Sequence, residues 1–109
     1  MLRQVEKDIQ QQKRVIDLGD ALERLKSNRD FKKVITEGYF EQEAIRLVHL
    51  KSNPSTQSDE SQKSIDQQII SIGSLGQYFT TVDQLANMAR KNLDMYEQTR
   101  EDLIQEGVN

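Results

Sequence analysis

The stretch from Ser64 to Leu103 constrains this chain more than any other. Ile65, Ile72, Phe79, Ala86 and Leu93 recur every seven residues, and Leu75, Val82, Ala89, Tyr96 and Leu103 recur at the same interval three places later. Apolar residues alternating by three and four over several heptads bury one narrow stripe of a long helix against other helices. That pattern specifies a way of packing rather than a reaction.

Composition agrees with a thin core. Of the 109 residues, 35% are hydrophobic and 30% charged, which suits one helical domain, 1–109, packed along stripes better than a thick layered fold. No stretch alternates apolar and polar residues for a full strand length, so no sheet is expected. The longest unbroken apolar runs are two or three residues, too short to cross a bilayer. Glu6 and Asp8 among glutamines give the opening residues no leader-like apolar run. Cysteine is absent, which removes disulfides, thiolate metal sites and cysteine nucleophiles and suits the cytosol.

Leu2, Val5, Ile9 and Ile16 open the chain with helical spacing, although Gln12 interrupts their stripe. From Val15 a shifted register, Val15, Leu18, Leu22, Leu25, predicts that the stripe drifts around the first helix. Gly19 lies inside that helix, where it costs about 1 kcal/mol relative to Ala unless another helix approaches closely. Asn28 is a good N-cap and Asp30 a favourable first-turn acid for the next helix. Gly38 is expected to stop that helix, and Phe40, Ala44, Leu47 and Val48 to begin another. Ser52 to Ser58, with Pro54 inside it, reads as the one clear loop. The predicted helices are therefore 3–27, 29–37, 40–51 and 59–105: long, short, short, long. The last would measure about 70 Å at 1.5 Å per residue if unbroken. Gly73 and Gly76 mark its expected bend, and Gly107 its stop. The fold expected is all-α: an elongated helical bundle or hairpin with two long helices, two short ones between them and a coiled-coil-like seam.

The chemistry the chain lacks narrows its function. Gly73 and Gly76 have no Lys-Ser/Thr sequel, and Gly73-Ser74-Leu75-Gly76 is not a nucleophile elbow. His49 is the one histidine and has no second ligand at metal-binding spacing. Asp94, Glu97 and Glu101 share one helix face but read as a solvated acidic surface rather than a cation site. No catalytic, cofactor-binding or metal-ligating residue is assigned, and the chain reads as a non-enzyme without cofactors. The net charge of −3 disfavours nucleic acid as a partner. Arg29, Lys32 and Lys33 are nevertheless the residues that would contact it. Residues 94–109 hold five acids and one Arg, a possible charge mimic.

Residues 21–51 carry a resemblance. Ala21-Leu22-Glu23-Arg24-Leu25, Asn28-Arg29-Asp30-Phe31-Lys32-Lys33-Val34-Ile35, Gly38-Tyr39-Phe40 and Glu43-Ala44-Ile45-Arg46-Leu47-Val48 resemble small helical proteins of tailed bacteriophages. The stretch from Ile65 to Phe79, with Ile72-Gly73 and Tyr78-Phe79, fits the same pattern. The resemblance covers about half of the 109 residues and has no diagnostic motif. It implies a virion or head-assembly component, found in the virion or the host cytoplasm, with no catalytic residues to carry over.

The function expected is thus protein interaction. The partner is a second copy of the chain, a larger virion protein, or both, and no membrane is involved. Leu93, Tyr96, Arg100 and Leu103, at the far end of the stripe, are the expected contact residues. The alternatives are a small nucleic-acid-binding or regulatory phage protein and an inhibitor of a host protein.

Overall fold

A computed structural model describes residues 1–107. The all-α expectation holds: among the described residues there is no strand. Helix α1 spans Leu2–Ser27. A second helical segment, α2, covers residues 29–52. After a single 3₁₀ turn, Pro54–Thr56, helix α3 runs unbroken over Asp59–Gln105. No helix among the described residues is long and apolar enough to cross a membrane.

The joints follow from side-chain capping. Asn28 is the only residue between α1 and α2, and its Oδ1 accepts from the backbone N–H groups of Asp30 and Phe31, each at 3.0 Å. That satisfies two of the donors a helix start leaves unpaired. At the other joint Asn53 Oδ1 accepts from the Ser55 backbone N–H at 2.9 Å, and Pro54 takes the first helical position, where no donor is lost. The carbonyls ending α2 are covered by side chains. Thr56 Oγ1 donates to Leu50 O, and Gln62 Nε2 donates to Lys51 O at 3.0 Å. Ser58 Oγ accepts from the Ser61 backbone N–H at 3.1 Å and caps α3. Gly107, with φ +72°, terminates it as expected.

One expected break does not occur. Gly38 stays helical, and 29–52 is one continuous segment rather than the two short helices 29–37 and 40–51. Its middle, Lys32–Glu43, is a π-helix, a widened form that usually lasts a single turn. Glycine permits the widening. A Cβ at position 38 would lie 3.1 Å from the carbonyl oxygen of Lys33, five residues back. Glycine here relieves crowding inside a helix instead of supplying a left-handed stop.

The chain groups into two compact units. The first contains Met1–Glu23 and the chain from Thr80 onward. In it, α1 and the second half of α3 pair antiparallel: Gly19 lies against Ala86, and Asp20 Oδ1 accepts from Arg90 Nη2 at 2.7 Å. Ile9, Leu22, Val82, Ala86, Ala89 and Leu103 are buried. The helices meet so closely that a Cβ at Gly19 would overlap the Ala86 methyl. The predicted shift of the α1 stripe is met only in part: Val15 is half-buried and Leu22 buried, but Leu18 and Leu25 are left half exposed, while Gln12 is half-buried and Gly19 buried on the original register. Two small residues facing each other bring the backbones together, and that contact outweighs the pull of Leu18.

The second unit, Arg24–Phe79, is built on Leu47, Ile65 and Ile72, with Tyr39, Phe40, Ala44, Leu50 and Ile69 packed around them. Phe31, Phe40 and Phe79 stack edge-on and tilted, with ring centroids 5.9–6.1 Å apart. The Phe40 ring packs over Gly76, where an added Cβ would meet it at an ordinary 3.6 Å, whereas Gly73 faces open space. The α3 helix carries on through both glycines.

Candidate functional site

The residues singled out from sequence fall into two sets. Arg29, Lys32 and Lys33, in the second unit, are all exposed. The Nε of Arg29 lies 3.7 Å from Asp30, so one acid already sits beside this cluster. Among Leu93, Tyr96, Arg100 and Leu103, in the first unit, Leu103 is buried and the other three are half-buried. Much of their surface is already used within the chain.

Arg100 joins two open depressions of the first unit. One, of about 730 Å³, is lined by Arg3, Glu6, Lys7, Arg14 and their α1 neighbours, with Ile9 at its base. The other, of about 570 Å³, is lined by Asp94, Glu97, Glu101 and Ile104 along α3. Arg100 is half-buried between the mostly basic lining of the first and the mostly acidic lining of the second. Among the described residues no group of three His, Cys, Asp or Glu side chains is arranged to hold a metal ion.

A marked electrostatic perturbation lies in the second unit. Arg46 donates to both carboxylate oxygens of Glu43, at 2.6 and 2.8 Å. These hydrogen bonds, aided by the guanidinium charge and opposed by desolvation, hold the Glu43 carboxyl below the usual carboxylate range. The same contacts raise Arg46. The fork spans the junction between the π-helical section and the α-helical turn after it. It clasps the helix and leaves no free acid or base for proton transfer.

Reading only the strongest stripe misses a second row of α3. Thr81, Leu85, Met88, Asn92, Met95 and Thr99 also alternate by four and three. At about 100° per residue they lie roughly a quarter-turn around the helix from Val82, Ala86 and Ala89. Leu85, Met88 and Met95 are 49%, 58% and 55% exposed, although the neighbouring row is buried. The row was legible as a heptad. Its threonines and asparagine made it weaker than the Ile, Leu and Phe columns beside it.

None of these residues has the geometry of an activated nucleophile or a paired acid and base. What the arrangement offers is a long helix with one face packed and an adjoining face of uncharged, partly apolar side chains. Comparison with protein-family models, curated proteins and solved structures finds no match.

Proposed function

We propose that the chain is a non-enzymatic helical interaction protein, a component of bacteriophage virions or head assembly that self-associates or docks on a larger assembly. The observation that carries this reading is the exposed row Leu85, Met88 and Met95 on a helix whose adjoining row is packed. A unit built on one seam between two helices buries little apolar surface, and a further helix against its open face adds the burial it lacks. The phage assignment draws on the resemblance over residues 21–51 and 65–79. Sedimentation of the purified chain, alone and with disassembled virion proteins, tests the reading. Association in either mixture is expected; a folded monomer that binds neither itself nor a virion protein overturns it.

The exposed Arg29, Lys32 and Lys33 favour a second reading, nucleic-acid binding. It requires DNA or RNA binding at low salt that weakens as salt rises and is lost in the Lys32→Glu/Lys33→Glu chain.

A further inference from the structure

The two open depressions of the first unit carry opposite charge side by side. We infer that the face holding them pairs with the same face of a second copy, basic strip on acidic strip, about a two-fold axis running along the helices. This inference rests on the self-association reading and adds the surface, the partner and the orientation.

The partner follows from the charges of the two strips. Arg3, Lys7 and Arg14, spaced by four and seven, share one face of α1, and Glu6 is the one acid in that depression. Asp94, Glu97 and Glu101 share one face of α3. That face lies roughly a quarter-turn from the buried Val82, Ala86 and Ala89, on the side away from Leu85, Met88 and Met95. Arg100 lines both depressions, so the strips adjoin on one side of the seam. Among the described residues no ion pair or hydrogen bond joins the two strips. The chain thus presents both halves of a complementary pair, each of them open. A second copy supplies the match for both at once, and an isologous two-fold contact requires such a self-complementary surface.

Orientation follows from charge and register. The Gly19–Ala86 contact and the Asp20–Arg90 hydrogen bond set α1 and α3 antiparallel, with Arg14 about level with Asp94 and Lys7 about level with Glu101. A two-fold axis along the seam keeps each residue at its level and exchanges the two sides. It therefore sets Arg14 opposite Asp94 of the second copy and Lys7 opposite Glu101 of the second copy, twice over. An axis across the helices would set basic strip on basic strip and acidic on acidic. With the axis along the seam, α1 of each copy lies over α3 of the other and antiparallel to it, the alternation of an up-down-up-down four-helix bundle. Ile104, 58% exposed beside the acidic strip, is covered in the same contact. The two Arg100 side chains come near the axis, each with Glu97 of its own helix one turn away to offset the charge.

Sedimentation of the full chain and of two charge-reversed chains tests this. The natural chain is expected to sediment at twice its 12.6 kDa mass in dilute buffer and as a monomer in about 1 M salt, where the screening length falls to about 3 Å. Lys7→Glu/Arg14→Glu makes both strips acidic, and Asp94→Lys/Glu101→Lys makes both basic. Each reversed chain alone is expected to be a monomer in dilute buffer with its helical circular dichroism unchanged. Mixed one to one, they are expected to form a dimer, because each strip then meets its opposite. If a reversed chain unfolds, cysteine pairing replaces it, since the natural sequence has no cysteine. Under mild oxidation Arg14→Cys and Asp94→Cys chains are then expected to link to each other about tenfold faster than Arg14→Cys links to itself. A natural dimer that persists in high salt, a reversed chain that still dimerises alone, a mixture that stays monomeric or cysteines that show no such preference overturns this interface and leaves self-association standing. A natural chain that is monomeric at every salt and protein concentration overturns both.

Discussion

Single residues decide how closely the helices of the first unit approach. Gly19 and Gly73 both lie within helices, yet they predict opposite outcomes. Gly19→Ala forces a methyl into Ala86, a short side chain that cannot move aside, and is expected to destabilise the fold by about 1–3 kcal/mol despite its better helix propensity. Gly73→Ala meets nothing within 4 Å and is expected to stabilise by about 0.5–1 kcal/mol. Urea denaturation of the two variants checks both signs, and Ala86→Gly should recover part of the Gly19→Ala loss. The sequence shows that Gly19 interrupts a helix; it does not show what stands opposite. Gly19 and Ala86 are separated by most of the chain, and small residues leave no apolar mark. Leu18 was therefore easy to place inward, where the register puts Gly19.

Glu43 supplies a residue-scale prediction in pH. Its pKa is lowered by the hydrogen bonds from Arg46, so the folded state binds a proton at this site less readily than the unfolded chain. The stabilisation is thus present above the ordinary Glu value and is lost as pH falls through the lowered one. Carboxyl NMR titration is expected to place Glu43 below the usual glutamate value. Arg46→Gln should move it up towards that value.

At the scale of elements, capping chemistry was the most legible part of the chain. Asn28, the Asn53-Pro54 turn and Gly107 act where their side chains or backbone freedom say they should. Asn28→Ala is expected to cost about 1 kcal/mol in denaturant unfolding, while Asn28→Asp retains most of that stability because the acceptor remains. The π-helical section was not legible. Local rules offer Gly38 two uses, a stop or a relief of crowding. The choice lies with Tyr39 and Phe40, which both pack on the Leu47–Ile65–Ile72 cluster though they are sequence neighbours. In an α-helix adjacent residues point about 100° apart, so placing both on one core asks for altered winding.

At the scale of the whole chain, low hydrophobic content translated directly into an all-helical fold with narrow seams. Which row of α3 is packed was also evident, because the Ile, Leu and Phe columns are the richer. The open row was harder to recognise, since Leu85 and Met88 outweigh the alanines that are buried beside them. Contact here depends on how near a second backbone comes, which residue size alone does not reveal. If the charged face of the first unit is closed by a second copy, folding and assembly are linked. The thermal midpoint in dilute buffer is then expected to rise by a few degrees when protein concentration increases about a hundredfold, and to stay constant in the Lys7→Glu/Arg14→Glu chain. Differential scanning calorimetry over that range reads both.

The widened section of α2 carries a consequence for length variation. A π-helix spends more residues on each turn than an α-helix, so Lys32–Glu43 holds spare chain. Losing a residue at an exposed position such as Gln42 would tighten the winding towards α and leave Leu47 close to its present heading. The same deletion in α3 between Ile65 and Ile72 has no such slack to absorb it, and every later seam residue would turn by about 100°. Related chains of unequal length are therefore expected to differ within 32–43 and to keep the spacing of α3 intact.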